Sequence, residues 1–94
     1  MRLTEHEIQV VRSVLHGADP SGKIYLYGSR TDDLKRGGDI DIFFEPSRQL
    51  DIKTRLNLEY RLSRLCDTKV DLMVKNPEQG NEVIFDIARK GRPL

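Results

Sequence analysis

The run Gly38-Asp39-Ile40-Asp41-Ile42-Phe43-Phe44-Glu45 constrains this chain more than any other stretch. Its β-branched and aromatic residues read as a strand. Side chains alternate along a strand, so Ile40, Ile42 and Phe44 share one face while Asp39 and Asp41 share the other. Two carboxylates one pleat apart repel each other and cannot both be simple core residues. A divalent cation between them turns repulsion into coordination, because hard oxygen ligands suit Mg²⁺.

A third carboxylate lies in Lys69-Val70-Asp71-Leu72-Met73-Val74. Val70, Leu72 and Val74 form its buried set, and Asp71 shares a face with Lys69 and Met73. If this strand lies beside the first, Asp71 completes a three-carboxylate cluster. Such a cluster can hold two metal ions roughly 3.5–4 Å apart, as used for in-line displacement at phosphorus. A single aspartate at a strand end usually just solvates an edge. Asp-x-Asp in an apolar strand, with Asp71 in a second, favours a metal site.

Gly28-Ser29 closes another strand-like run, Ile24-Tyr25-Leu26-Tyr27, and opens the polar stretch Arg30-Thr31-Asp32-Asp33-Leu34. Glycine lets backbone approach a phosphate closely, and N–H groups opening a short helix can bind an anion. Ser29 adds a hydroxyl donor and Arg30 a forked cation. Gly-Ser alone is most often a turn, and the Gly-Lys-Ser/Thr ending of a P-loop is missing. Its meaning comes from position: Gly-Ser, a spacer from Arg30 to Gly38, then Asp-x-Asp.

That arrangement resembles the nucleotidyltransferase superfamily of DNA polymerase β. Its pattern is an apolar strand, Gly-Ser, a spacer, Asp-x-Asp in the next strand, and a later strand carrying a third acid. Gly28, Ser29, Asp39, Asp41 and Asp71 match it position by position. Chain size and element order look most like the minimal nucleotidyltransferases (MNT), many of which act as antitoxins of helical HEPN proteins. The resemblance runs from Lys23 to Val74 and more loosely through the flanking helices. It implies a polymerase β-like fold with a small mixed sheet and its acids on one face. It further implies metal binding by Asp39, Asp41 and Asp71, with two Mg²⁺ ions. Gly28, Ser29 and Arg30 would bind the nucleotide. ATP is the implied substrate, and AMP is transferred to a hydroxyl side chain, by preference Tyr, of a HEPN-type toxin. Two positions depart from the family pattern. Asp32 stands where a second basic residue is common, with Lys35 and Arg36 further along the loop, and Gly38 stands where Ser is usual.

Length and composition agree with one domain over residues 1–94. A domain this small buries only about 60–70% of its unfolded surface. The formal net charge of +1 argues against a dedicated nucleic-acid binder. Cys66 is the single cysteine, so no intrachain disulfide can form, and it reads as a small buried apolar residue. With no signal peptide and no long apolar run, the chain reads as soluble and cytoplasmic.

The coarse reading is an α/β (α+β) chain in the order αβαβαβα. Thr4 and Glu7 form a capping box ahead of Ile8, Val11, Val14 and Leu15 at helical spacing, with Gly17 as terminator. Asp19-Pro20-Ser21-Gly22 is a turn before the first strand. A short helix is expected from Ser29 to Leu34. A longer one runs from about Leu50 to Cys66, with Lys53, Thr54, Asn57, Arg61 and Arg64 on its polar side. Asn81 is expected to cap a last helix from Glu82 to Lys90, with Val83, Ile84 and Ile87 inward. His6 and His16 read as solvated helix residues. Tyr25 and Tyr27 read as packing under a helix, with the nucleotide pocket as the rarer role.

Few residues follow Asp71, so the acceptor must come from a second copy or another chain. The rival reading is a non-catalytic antitoxin or assembly module that neutralises its partner by covering it. The presence of all three acids counts against that reading.

Overall fold

The computed structural model describes residues 3–28 and 40–94. Helix α1 spans Glu5–Ala18, β1 Lys23–Tyr27, β2 Ile40–Glu45, α2 Ile52–Cys66, β3 Val70–Val74, α3 Val83–Arg89 and β4 Arg92–Pro93. The expected helix from Ser29 to Leu34 lies outside the described residues, as does Asp39 at the start of the second expected strand.

The sheet has the order β3-β2-β1-β4. β1 runs antiparallel to β2 and to β4, while β2 and β3 are parallel and joined by α2. A parallel pair needs such a crossover, which is why α2 must cover one sheet face. α1 and α2 pack there over Ile24, Leu26, Ile40, Ile42, Phe44, Val70, Leu72 and Val74. The predicted buried sets of β2 and β3 fall on this face. α3 covers part of the opposite face, where Phe43, Phe85 and Ala88 form a second core with Tyr25, Tyr27 and Met73 around it.

Local signals account for most boundaries. The Thr4 hydroxyl accepts from the Glu7 N–H at 3.1 Å, and the Glu7 carboxylate accepts from the Thr4 N–H at 2.8 Å, completing the capping box. α2 begins later than expected because the Asp51 carboxylate accepts from the Thr54 N–H at 2.7 Å and sets the N-cap there. Its exposed side carries Lys53, Asn57, Arg61 and Arg64, as expected, and its buried side Leu58, Leu62 and Cys66.

Two expectations need correction. The short strand β4 had no signal in the sequence, since two residues show no periodicity; it forms because Leu26 and Tyr25 of β1 have a free edge to pair with Arg92 and Pro93. α3 is also rotated from the predicted facing. Val83, Ile84 and Ile87 are 75%, 42% and 54% exposed, whereas Phe85 and Ala88 are buried. Phe85 stacks on Phe43 at 5.4 Å between ring centroids, and Arg89 reaches Glu45 from the same side of the helix. An aromatic pair and a forked ion pair outweigh three aliphatic side chains that a flat sheet face could not all accept. Glu82 is the N-cap and makes no side-chain cap bond, while Asn81 bonds Asp86 and Arg89 instead.

Asp19 ties the end of α1 to the segment after β2. It is buried, and its carboxylate accepts from the Ser21 N–H, the Ser47 N–H and the Ser47 hydroxyl. Burial by itself would raise its pKa. The bonds from Ser47, Ser21 and Arg48 outweigh burial and hold the carboxyl below its ordinary 3.8. A depressed folded-state pKa contributes stability above the unfolded value, lost as pH falls through the folded one. Asp19→Ala should therefore destabilise the protein at neutral pH by about 2 kcal/mol, since charge-assisted bonds are lost. The difference from wild type should shrink below about pH 4. Urea unfolding at neutral and acid pH checks both; an equal cost at both would remove the carboxylate from the explanation.

Candidate active site

Strand register decides which side chains meet. Asp41 of β2 pairs with Tyr27 of β1 on one side and with Asp71 of β3 on the other. Tyr27, Asp41 and Asp71 therefore form one row across the sheet, on the face opposite α1 and α2. Neighbouring strands lie about 4.8 Å apart, so the two carboxylates stand side by side. The next row on this face is Tyr25, Phe43 and Met73, which α3 covers. Among the described residues, the carboxylate row thus lies beyond α3. Asp41 and Asp71 are half-buried rather than sealed. Asp39, Ser29 and Arg30 lie outside the described residues.

β3 is an edge strand, and its edge is managed by α2. The Val70 N–H donates to the Ser63 hydroxyl at 2.8 Å, and the Leu72 N–H to the Glu59 carboxylate at 2.8 Å. These bonds satisfy the outward donors on both sides of Asp71 and fix its backbone. The Lys69 ammonium, well exposed, lies 3.8 Å from an oxygen of the half-buried Asp71, a solvent-screened pair worth little.

Gly28 adjoins the row with φ of +77°, in the left-handed region that favours glycine. A Cβ there would fall on the Asp41 carboxylate, so any other residue would displace that side chain. Glycine thus brings the end of β1 against Asp41. Burial, then the negative charges of Asp41 and Asp71, push the Tyr27 phenol above its ordinary 10.0 and keep it protonated.

A cleft of about 470 Å³ opens beside this row, lined by Tyr27, Gly28, Ile87, Lys90, Gly91 and Arg92. Sequence reading gave Tyr27 mainly a packing role and did not single out Lys90 or Arg92. The available signal was two cations flanking a glycine, but only the pairing of β4 with β1 brings them near Gly28. α3 is held in place by Arg89, which donates to both Glu45 oxygens at 2.8 and 3.0 Å. The Arg89 bonds hold the Glu45 carboxyl below its ordinary range, against burial and with help from the charges of Arg89, Lys75 and Lys23.

Paired, partly exposed carboxylates are hard oxygen donors. The residues present fit a divalent cation at Asp41 and Asp71. Among the described residues, no group of three His, Cys, Asp or Glu gathers as a metal cluster. No described helix is long and apolar enough to cross a membrane.

No curated protein matches the chain significantly. Among solved structures, the chain is similar to one in a crystal structure of the toxin–antitoxin pair MntA-HpeT carrying a double Asp-to-Glu mutation. The identity is 25% and the TM-score 0.73, covering 93% of this chain and 70% of that one. It is also similar, at 25% identity and a TM-score of 0.67, to one in a structure of the tri-AMPylated Shewanella oneidensis HEPN toxin in complex with MNT antitoxin. That match covers 92% of this chain and 65% of the other. A family model described as "Polymerase beta, Nucleotidyltransferase" matches residues 9–94. That family generally works with a nucleoside triphosphate and a divalent metal. The mixed sheet and a family match over residues 9–94 place this protein in the polymerase β nucleotidyltransferase family, with MNT antitoxins among its structural neighbours.

Proposed function

We propose that this protein is a Mg²⁺-dependent nucleotidyltransferase that moves AMP from ATP onto a hydroxyl of a HEPN-type toxin, and so acts as its antitoxin. The observation that carries the reading is the register of Asp41 against Asp71 beside Gly28. The partner class follows from the HEPN toxin present in a neighbour's complex.

Asp39 and Asp41, with Asp71, would hold two Mg²⁺ ions, which when bound neutralise triphosphate charge and favour displacement at phosphorus. The Gly28 backbone, the Ser29 hydroxyl and Arg30 bind the phosphates. Asp71 accepts the proton of the attacking hydroxyl. The new bond joins that oxygen to the α-phosphorus. The bond from the α-phosphorus to the bridging oxygen breaks, and its electron pair leaves with pyrophosphate. Tyr27, kept protonated by its neighbours, remains a donor throughout. Positioning and charge neutralisation dominate a transfer of this kind.

The test is incubation of the protein with labelled ATP, Mg²⁺ and a co-encoded HEPN-type protein, followed by mass analysis of both chains. The expected result is adenylate on the partner, with little product when this protein is alone. A tight complex without a mass increase would support the non-catalytic antitoxin instead. Neither binding nor modification would sink the antitoxin assignment.

A further inference from the structure

The outer edge of β3 is held by α2 in place of a strand. Glu59 takes the Leu72 N–H and Ser63 takes the Val70 N–H, so α2 runs opposite to β3. Four helical residues rise about 6 Å and two strand residues about 6.6 Å. One stripe of α2 therefore presents acceptors at the spacing of the outward N–H groups of β3. Ser63 is engaged further. Its hydroxyl also lies 3.4 Å from the Val70 carbonyl as a donor, and its own carbonyl accepts from the Thr68 N–H at 3.2 Å. On the inner side, the Lys69 carbonyl accepts from the Ile40 N–H of β2 at 3.0 Å.

The clamp is local. One further step along the stripe is Arg55, at the level of Val74, and an arginine side chain can only donate. There α2 and β3 border a cavity of about 400 Å³ whose lining includes Arg55 and Val74. Among the described residues, the α2 side chains that bond β3 do so only at the two positions flanking Asp71. General protection of an edge against stray pairing would serve the Val74 end equally well. Asp71 itself projects to the opposite face, beside Asp41. Fixing the peptides before and after it fixes the direction in which its side chain leaves the strand.

We propose that Glu59 and Ser63 are positioning residues for Asp71, setting its carboxylate against that of Asp41. The inference rests on the nucleotidyltransferase reading above and deepens it. Both residues act through Asp71, from the far side of the edge. Glu59 acts by reach and not by charge, since the Leu72 N–H needs only an oxygen acceptor, which an amide of the same length also supplies.

The test uses Glu59→Ala, Glu59→Asp, Glu59→Gln and Ser63→Ala, each with and without Asp71→Asn. Arg55→Ala is the control on the same stripe, and melting curves confirm folding. Calorimetry measures Mn²⁺ affinity, and kcat and KM for ATP are measured with the co-encoded HEPN-type protein as acceptor. Glu59→Ala, Glu59→Asp and Ser63→Ala should each weaken Mn²⁺ and lower kcat by about 10–100-fold, the scale for losing a group that orients a ligand. KM for ATP should stay within about twofold, because only the placement of Asp71 changes. Glu59→Gln and Arg55→Ala should behave like wild type. In the Asp71→Asn background the losses should vanish, because the group being positioned is already altered. Glu59→Asp and Ser63→Ala, the milder changes, decide the matter if Glu59→Ala does not fold. Losses that persist in full without Asp71 would mark a general structural effect and overturn the inference. So would wild-type kcat and Mn²⁺ affinity in the clamp variants, or a Glu59→Gln loss equal to that of Glu59→Ala. If the clamp variants weaken Mn²⁺ only when Asp71 is present, yet wild type transfers no adenylate, the positioning role stands and the transfer reading fails. If wild type neither binds Mn²⁺ nor transfers adenylate, both fall.

Discussion

Asp41→Asn is expected to cut adenylate transfer by at least about 10²–10³-fold, the scale for losing one preorganised electrostatic group. Asp41 stands between Tyr27 and Asp71, so its charge acts on both neighbours. Without a cation, Asp41 and Asp71 repel, and neutralising one relieves that repulsion. The variant should therefore melt at or slightly above the wild-type temperature in metal-free buffer, and it should lose the stabilisation that Mg²⁺-ATP gives the wild type. Tyr27 supplies a readout independent of activity. The negative charge of Asp41 disfavours the phenolate, so removing it should bring the Tyr27 pKa down toward 10.0. Rate measurements by mass analysis, melts with and without Mg²⁺-ATP, and ultraviolet titration of the phenol cover these outcomes. A near-normal transfer rate would end the carboxylate–metal reading of the site.

Gly28→Ala should disable the same site from the other side. Alanine in the left-handed region costs roughly 1–2 kcal/mol. The added Cβ also falls on the Asp41 carboxylate, which must swing out of its row. For a domain of this size each 1 kcal/mol lowers the melting temperature by about 4–8 °C. Displacing a reacting or ligating group by about 1 Å can cost on the order of 10²-fold in rate. Because the clash is with one named side chain, the two positions should be coupled. The stability cost of Gly28→Ala should shrink in an Asp41→Ala background, a non-additivity that a double-mutant cycle reads directly. An identical cost in both backgrounds would show that only backbone strain matters at Gly28.

Local chemistry determined a good part of this protein. The capping box at Thr4 and Glu7 needs only neighbours in sequence, and alternation in Ile40–Glu45 and Val70–Val74 sorts apolar from acidic positions without any knowledge of the partner strand. The same alternation, with the Gly28-Ser29 step, carried the family resemblance. What sequence could not decide was contact between elements far apart in the chain. That Asp71 stands beside Asp41, rather than merely on the same face, depends on the parallel register that α2 imposes and on Ser63 and Glu59 holding the edge. Val83, Ile84 and Ile87 have the periodicity of a core helix face yet stand exposed on α3. Phe43 and Glu45, more than forty residues upstream, select Phe85 and Arg89 instead. β4, too short to show a pattern, exists only because β1 offers an edge, and with it Lys90 and Arg92 come to line a cleft beside Gly28. Periodicity and capping are set within a few residues along the chain, whereas register, helix rotation and edge pairing are settled by packing and hydrogen bonds between segments that meet only when the sheet assembles.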